Sequence, residues 1–383
     1  MSATTFLADY RAAAAEREAL GVPALPLTAE QTAALTELLA APPAGEEAFL
    51  LHLLCERIPP GVDEAAYVKA SWLLAVAKGE ASSPLVSPLE AVRLLATMIG
   101  GYNVAALIEL LGSPDAAIAE AAAAGLSTTL LVYDAYNDVL ELAEHNPLAQ
   151  RVIDSWAAGE WFTAKPEFPE AITVTVFKVE GETNTDDLSP ATHDTTRPDI
   201  PLHATAMLET RMPGGLDLIA ELKGKGHPLA YVGDVVGTGS SRKSAINSVL
   251  WHIGTDIPHV PNKRSGGVIL GGKIAPIFFN TAEDSGALPI ECDVTGLQSG
   301  DVITIRPHAG TIERAAGEPD AGEVVARFEL KPSTITDEVR AGGRIPLMIG
   351  RALTDKVRAQ LGLPPSELFI RPTPPVDTGK GYT

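Results

Sequence analysis

Residues 233–248 read Gly-Asp-Val-Val-Gly-Thr-Gly-Ser-Ser-Arg-Lys-Ser-Ala-Ile-Asn-Ser, and the fold is read outward from them. Just upstream, Pro228, Leu229, Ala230, Tyr231 and Val232 form a short apolar run of the kind a sheet buries. Just downstream, Ile246, Val249, Leu250 and Ile253 recur on one helical face. A strand therefore passes through glycines into a helix. Gly237 and Gly239 permit positive φ and close backbone approach, and Ser240 or Ser241 is expected to cap the helix. First-turn amides have no intrahelical partners, so a carboxylate or phosphate is favoured before them. Arg242 adds a planar fork matched to such an anion, and Lys243 a second positive charge. Taken singly, Ser240 could be only a cap and Arg242 only a surface partner for an acid. Taken together, the stretch predicts an anion site. From Gly237 the chain reads GTGSSRKS, one residue short of the nucleotide-binding pattern G-x-x-x-x-G-K-[ST]. Arg242 stands where that pattern needs glycine and would fill the space a phosphate-wrapping loop requires, so nucleotide hydrolysis is disfavoured.

The chain has 383 residues, enough for two or three domains with well-buried cores. Its formal charge of −20 makes the average surface repel nucleic acid and anionic lipid. A small polyanion would have to be drawn in by a local basic site. The two cysteines, Cys55 and Cys292, are far apart and imply neither a disulfide framework nor a thiolate-bound cluster. The amino terminus lacks the apolar core of a signal peptide, and no apolar run is long enough to span a bilayer, so a cytoplasmic protein with no membrane partner is expected.

Residues 1–160 read as helices, at 5–18, 28–41, 46–57, 64–78, 88–98, 104–111, 115–124, 130–145 and 148–158. Breaks every ten to twenty residues suit paired antiparallel helices. Such pairs stack into solenoids, although no crisp repeat is visible and one irregular bundle would fit the same pattern. The run 156–168 reads as connecting chain, with residues 161–170 as the linker between domains. The period then changes. Residues 172–179 alternate as a strand, and the loop after it brings Asp186, Asp187, Asp194, His193 and Arg197 into a short irregular stretch. An Asx-rich turn would look the same. Helices are expected at 202–209, 215–223 and 276–281, and strands at 268–270 and 287–291. Strands at 302–305 and 324–330 suggest a barrel-like or sandwich element, and 347–361 a terminal helix. Mixed strands and helices in this order indicate an α/β domain over residues 171–370. The Pro-rich residues 371–383 read as a linker toward something absent, or as a frayed terminus.

Four stretches carry a family resemblance: FKVEGETNTDDLSP at 177–190, YVGDVVGTGSSRKSAINSVLW at 231–251, the run 256–291, and RAGGRIPLMIGRAL at 340–353. With these the chain resembles the amino-terminal part of the bacterial aconitate hydratase B family. The resemblance implies a HEAT-like helical solenoid followed by a swivel α/β domain. It implies isomerisation of citrate to isocitrate through cis-aconitate, in the tricarboxylic acid cycle. Ser240 would correspond to the serine that abstracts the substrate proton, with Ser241 and Arg242 contacting substrate oxygens. Arg197 would bind a substrate carboxylate, and Asp186 would assist a histidine held on another domain. Aconitases also use a [4Fe-4S] cluster held by three thiolates, and this chain has no such set. The cluster-binding carboxy-terminal domains are therefore expected beyond Thr383, and the chain alone is expected to be inactive. Homodimer formation and messenger RNA binding in the cluster-free state are further implications. For the latter only Lys263, Arg264 and Lys273 offer a local basic strip.

Overall fold

The computed structural model describes residues 3–372. Before the first strand the described residues form α1 (Ala3–Glu18), α2 (Ala29–Ala40), α3 (Glu47–Glu56), α4 (Glu64–Ala77), α5 (Pro88–Ala96), α6 (Tyr102–Leu110), α7 (Ala116–Thr128), α8 (Ala135–Ala143), α9 (Pro147–Ala158) and the single turn α10 (Glu160–Thr163). Their starts are set by side chains that satisfy orphan amides. Thr28 and Gln31 make a reciprocal capping box on α2, Asp63 caps α4, and Ser87 and Asn146 each precede a proline at the first helical position. Leucines of α2, α3, α5 and α6 share one core with Val152, Ile153 and Trp156 of α9.

Two expectations fail here. Residues 130–134 are not helical, because Tyr133 takes a left-handed conformation that breaks the run before Ala135. Residues 156–163 are not connecting chain. Helix continues to Ala158 and resumes at Glu160, and Trp156, Trp161 and Phe162 are buried, since large aromatics gain more from burial than a solvated link would allow.

The α/β part runs β1 (Ile172–Asn184), α11 (Thr185–Leu188), a 3-10 turn (Ala191–Thr196), α12 (Ile200–Ala204), α13 (Gly215–Lys223), β2 (Leu229–Thr238), α14 (Lys243–Ile253), β3 (Thr255–Asp256), β4 (Arg264–Ser265), β5 (Val268–Ile274), α15 (Pro276–Asp284), β6 (Leu288–Glu291), β7 (Val302–Arg306), β8 (Thr311–Arg314), β9 (Val324–Arg327), α16 (Ile335–Ala341) and α17 (Arg344–Gln360). Seven strands make one sheet in the order β6-β5-β2-β1-β7-β8-β9, while β3 and β4 form a separate two-residue ladder. β6, β5, β2 and β1 are parallel neighbours, and β1–β7, β7–β8 and β8–β9 are antiparallel. The late strands thus extend the same sheet, and the separate barrel or sandwich element expected from sequence does not form. β8 and α16 were not anticipated: each is short, and neither carries a periodic stripe long enough to read. The helix expected at 202–209 ends at Ala204, and Leu208 has positive φ.

Alternation along the central strands feeds two cores. Phe177, Val179, Tyr231 and Ile269 pack on one face with Ile246, Val249 and Leu250 of α14; Val174, Val176, Ala230, Val232 and Leu270 pack on the other. α17 ties the two parts together, because its Leu353 and Val357 enter the helical core and Gly350 lets it lie directly against the Trp161 ring. Across the seam, Arg17 pairs both ways with Asp199 at 2.6 and 2.9 Å, and His259 faces Glu56 at 3.1 Å. Arg371 still pairs with Asp355 at 2.9 Å, so the expected linker begins as attached chain; residues 373–383 lie outside the described residues.

Beneath α17, the buried Glu283 of α15 meets the buried Glu338 of α16, with Arg344 at 3.6 Å from Glu283 and 2.9 Å from Asp284. Burial pushes the Glu283 carboxyl up to about 7, the negative Glu338 adds to this, and Arg344 opposes it. The folded protein therefore holds a proton that the unfolded chain, with an ordinary glutamate value of 4.5, releases. The stability contributed is full below that unfolded value and is lost as pH rises through about 7. Thermal melts from about pH 5 to about pH 8 should show a fall in midpoint that Glu283→Gln removes, leaving a flatter profile than the parent.

Candidate anion site

β1 and β2 lie side by side and parallel, so their carboxyl ends deliver two loops to one place. Open α/β sheets bind ligands at such ends. β1 delivers Thr185, Asp186 and Ser189; β2 delivers Gly239, Ser240, Ser241 and Arg242. Gly237 and Gly239 both have positive φ, which glycine permits. A Cβ at Gly237 would overlap the Phe278 ring of α15, so the loop's path depends on glycine there.

The capping expectation is corrected. α14 starts at Lys243 with Arg242 in the N-cap position, and no side chain caps it. Ser240 and Ser241 sit outside the helix because Gly239 turns the chain before it, and both are exposed. The loop is instead anchored through its backbone, where the Thr185 hydroxyl donates to the Ser240 carbonyl at 2.9 Å. This leaves both serine side chains facing outward.

The Arg242 guanidinium donates to the Asp186 carboxylate and, at 3.2 Å, to the Ser189 carbonyl. Its side chain is 19% exposed and that of Asp186 55% exposed. An ion pair this exposed is weak and exchangeable, so a ligand carboxylate can take over the fork at small cost. Burial, and after it the nearby Arg197, disfavours a charge on the His203 ring, and among the described residues the buried Arg197 Nε has no hydrogen-bond partner. Four of the expected residues, Asp186, Ser240, Ser241 and Arg242, are therefore on touching loops. Arg197 lies near His203, whose ring bonds Ser189, the residue whose carbonyl receives Arg242.

Two other residues of the loop do structural work: Asp187 completes a capping box with Asn184, and His193 faces Glu209 at 3.1 Å. Missed by sequence reasoning were Thr185, Ser189 and His203, because a serine fourteen residues from a histidine leaves no spacing signal. Of the basic strip, Arg264 pairs with Asp256 at 2.7 Å and stacks on Trp251, Lys273 faces Glu291 at 3.4 Å, and burial lowers the pKa of Lys263. A cavity of about 530 Å³ lies elsewhere, lined by Asp234, Glu291 and Asp293, and its negative wall suits no polycarboxylate. The anion loop itself is open to solvent.

A three-thiolate cluster does not fit this chain. Cys292 is buried in the sheet core, where burial pushes its thiol up to about 12, and Cys55 is half-buried in the helical part with its thiol also raised by burial. Among the described residues no three His, Cys, Asp or Glu side chains are grouped to hold a metal ion, and no helix is long and apolar enough to cross a membrane.

Comparison with known proteins gives concordant matches. Residues 9–162 match the family described as "Aconitate B N-terminal domain" and residues 174–382 the family described as "Aconitate hydratase 2 N-terminus". Aconitate hydratase B of Synechocystis sp. is 70% identical over 377 residues, covering 98% of this chain and 43% of that protein. Its counterpart in Pseudomonas aeruginosa is 60% identical over 388 residues, covering 98% of this chain and 44% of that protein. The chain thus spans less than half the length of these curated relatives. A solved 3-isopropylmalate dehydratase from Methanocaldococcus jannaschii aligns at TM-score 0.34 and 19% identity, over 50% of this chain and 99% of that one, which is too slight to carry an argument. With more than half its residues matching one family and two close relatives along nearly its whole length, the chain belongs to the aconitate hydratase 2 amino-terminal family.

Proposed function

We propose that this chain supplies one half of the active site of an aconitate hydratase, acting on citrate, isocitrate and cis-aconitate in the tricarboxylic acid cycle. The observation that carries the reading is the outward-facing Ser240–Arg242 loop beside Asp186 at the carboxyl ends of two parallel strands. Arg242 exchanges Asp186 for a substrate carboxylate, and Arg197 holds a second one. Ser241 donates a hydrogen bond to a substrate oxygen. Ser240, as its alkoxide, takes the proton from the carbon beside a carboxylate, and the freed electron pair becomes the double bond of cis-aconitate. A serine hydroxyl is a poor base by itself; the guanidinium of Arg242, Lys243 and the amino end of α14 stabilise its anion. Asp186, released from Arg242, is then free to orient a histidine from a neighbouring domain. A [4Fe-4S] cluster, which the residues of this chain do not hold, would have to come from the carboxy-terminal part its relatives possess and would there assist departure of the hydroxide. In the same reading the helical part is a HEAT-like solenoid that supports the swivel domain.

The test is an isomerisation assay on this chain alone and on the chain continued into the carboxy-terminal part its relatives possess. Turnover is expected only from the second. Measurable conversion of citrate by the first would overturn the reading.

A further inference from the structure

Behind the two substrate loops lies a polar line that the proposed chemistry does not use. His203, 1% exposed on α12, meets the hydroxyl of the fully buried Ser189 through Nε2 at 2.7 Å. Ser189 in turn meets the Ser244 hydroxyl at 2.6 Å, in the first turn of α14. On the other side of the ring, Nδ1 lies 2.8 Å from the Thr196 hydroxyl and 3.1 Å from the His193 carbonyl.

The proton positions follow from the His193 carbonyl, which can only accept and lies 3.1 Å from Nδ1, so that Nδ1 carries the proton. The Thr196 hydroxyl then donates to the same carbonyl at 2.8 Å and accepts from Nδ1. Burial keeps the ring neutral, and the nearby Arg197 works in the same direction. Nε2 is then bare and accepts from Ser189, whose oxygen is left to accept from Ser244. Every proton runs one way, from Ser244 to Ser189 to His203 to the segment that precedes Arg197.

We infer that His203 is a positioning residue that locks three segments, the start of α14, the Ser189 turn and the 191–197 stretch, so that Arg242 and Arg197 face one substrate together. The inference rests on the reading of this loop pair as a tricarboxylate site. Each arginine depends on the lock. Arg242 is held by the Ser189 carbonyl, and Arg197 follows Thr196 directly in the chain. A ring of the other tautomer would point a proton at Ser189 and leave the Thr196 oxygen without a donor, reversing or breaking the line.

Two measurements on the whole chain test this. Long-range ¹⁵N–¹H spectra read the His203 tautomer without any ligand: a proton on Nδ1 alone is expected, and a proton on Nε2 would overturn the inference. Calorimetric titration with citrate then compares Arg242→Ala, His203→Leu and His203→Gln. Arg242→Ala should abolish the heat of binding; if it binds like the parent, the tricarboxylate reading fails. His203→Leu should weaken binding about tenfold, whereas His203→Gln, which keeps an acceptor for Ser189, should stay within about threefold of the parent. Equal loss in both His203 variants, or no loss in His203→Leu while Arg242→Ala is dead, would sink the positioning role and leave the tricarboxylate reading standing.

Discussion

On the proposed function, Ser240→Ala, in the chain continued into the carboxy-terminal part its relatives possess, is expected to lower kcat for citrate isomerisation by about 10³-fold with KM changed by no more than about threefold. Removing a positioned proton acceptor costs on the order of 10²–10⁴ in rate. Among the described residues the exposed Ser240 hydroxyl makes no hydrogen bond whose loss would disturb the loop, which is anchored instead by its carbonyl to Thr185. A loss confined to kcat marks a group that acts in the transition state. A rise in KM alone at unchanged kcat would instead make Ser240 a binding residue and return the base to some other group.

Gly237→Ala should destabilise the protein by about 3 kcal/mol or more, visible as a lowered urea midpoint with an unchanged slope. Two independent penalties add at this position. The backbone has φ of +78°, where a side chain costs about 1–2 kcal/mol, and the new methyl would overlap the Phe278 ring, itself buried beneath β2. Phe278 cannot retreat, because α15 begins immediately after β5 and packs into the same core. Gly214 offers the control: it also has positive φ, but a Cβ there meets nothing within 4 Å, so Gly214→Ala should cost only the backbone part. Equal losses at the two positions would mean that the close approach to Phe278 contributes nothing.

Much of this was legible because the decisive patterns are local. The 3.6-residue stripes of α2 to α7 and α9, the alternation of β1 and the glycine-to-helix passage after β2 each declare themselves within a dozen residues. What was not legible is non-local. The late strands could not be assigned to the main sheet, because β1 pairs with β7 more than a hundred residues away. The aromatic run at Trp156–Phe162 looked like a link until α17 returned to cover it. The residue pattern points to Ser240, Ser241 and Arg242, and the family resemblance adds Asp186 and Arg197, but only the fold reveals that Arg242 is paired with Asp186 and that His203 bonds Ser189 behind them. Residue type lets either Ser240 or Ser241 cap the helix, yet Gly239 turns the chain too early for either to reach the first turn of α14.

The most direct measurement is a citrate titration of this chain followed residue by residue through its backbone amide resonances. Saturable shifts should concentrate at Gly239–Ser244, Asp186–Ser189 and Arg197, and should vanish in Arg242→Ala. Shifts that avoid both loops, or a titration that leaves the Ser240–Arg242 amides unmoved while citrate binds elsewhere, would contradict the claim that this loop pair is half of a tricarboxylate site.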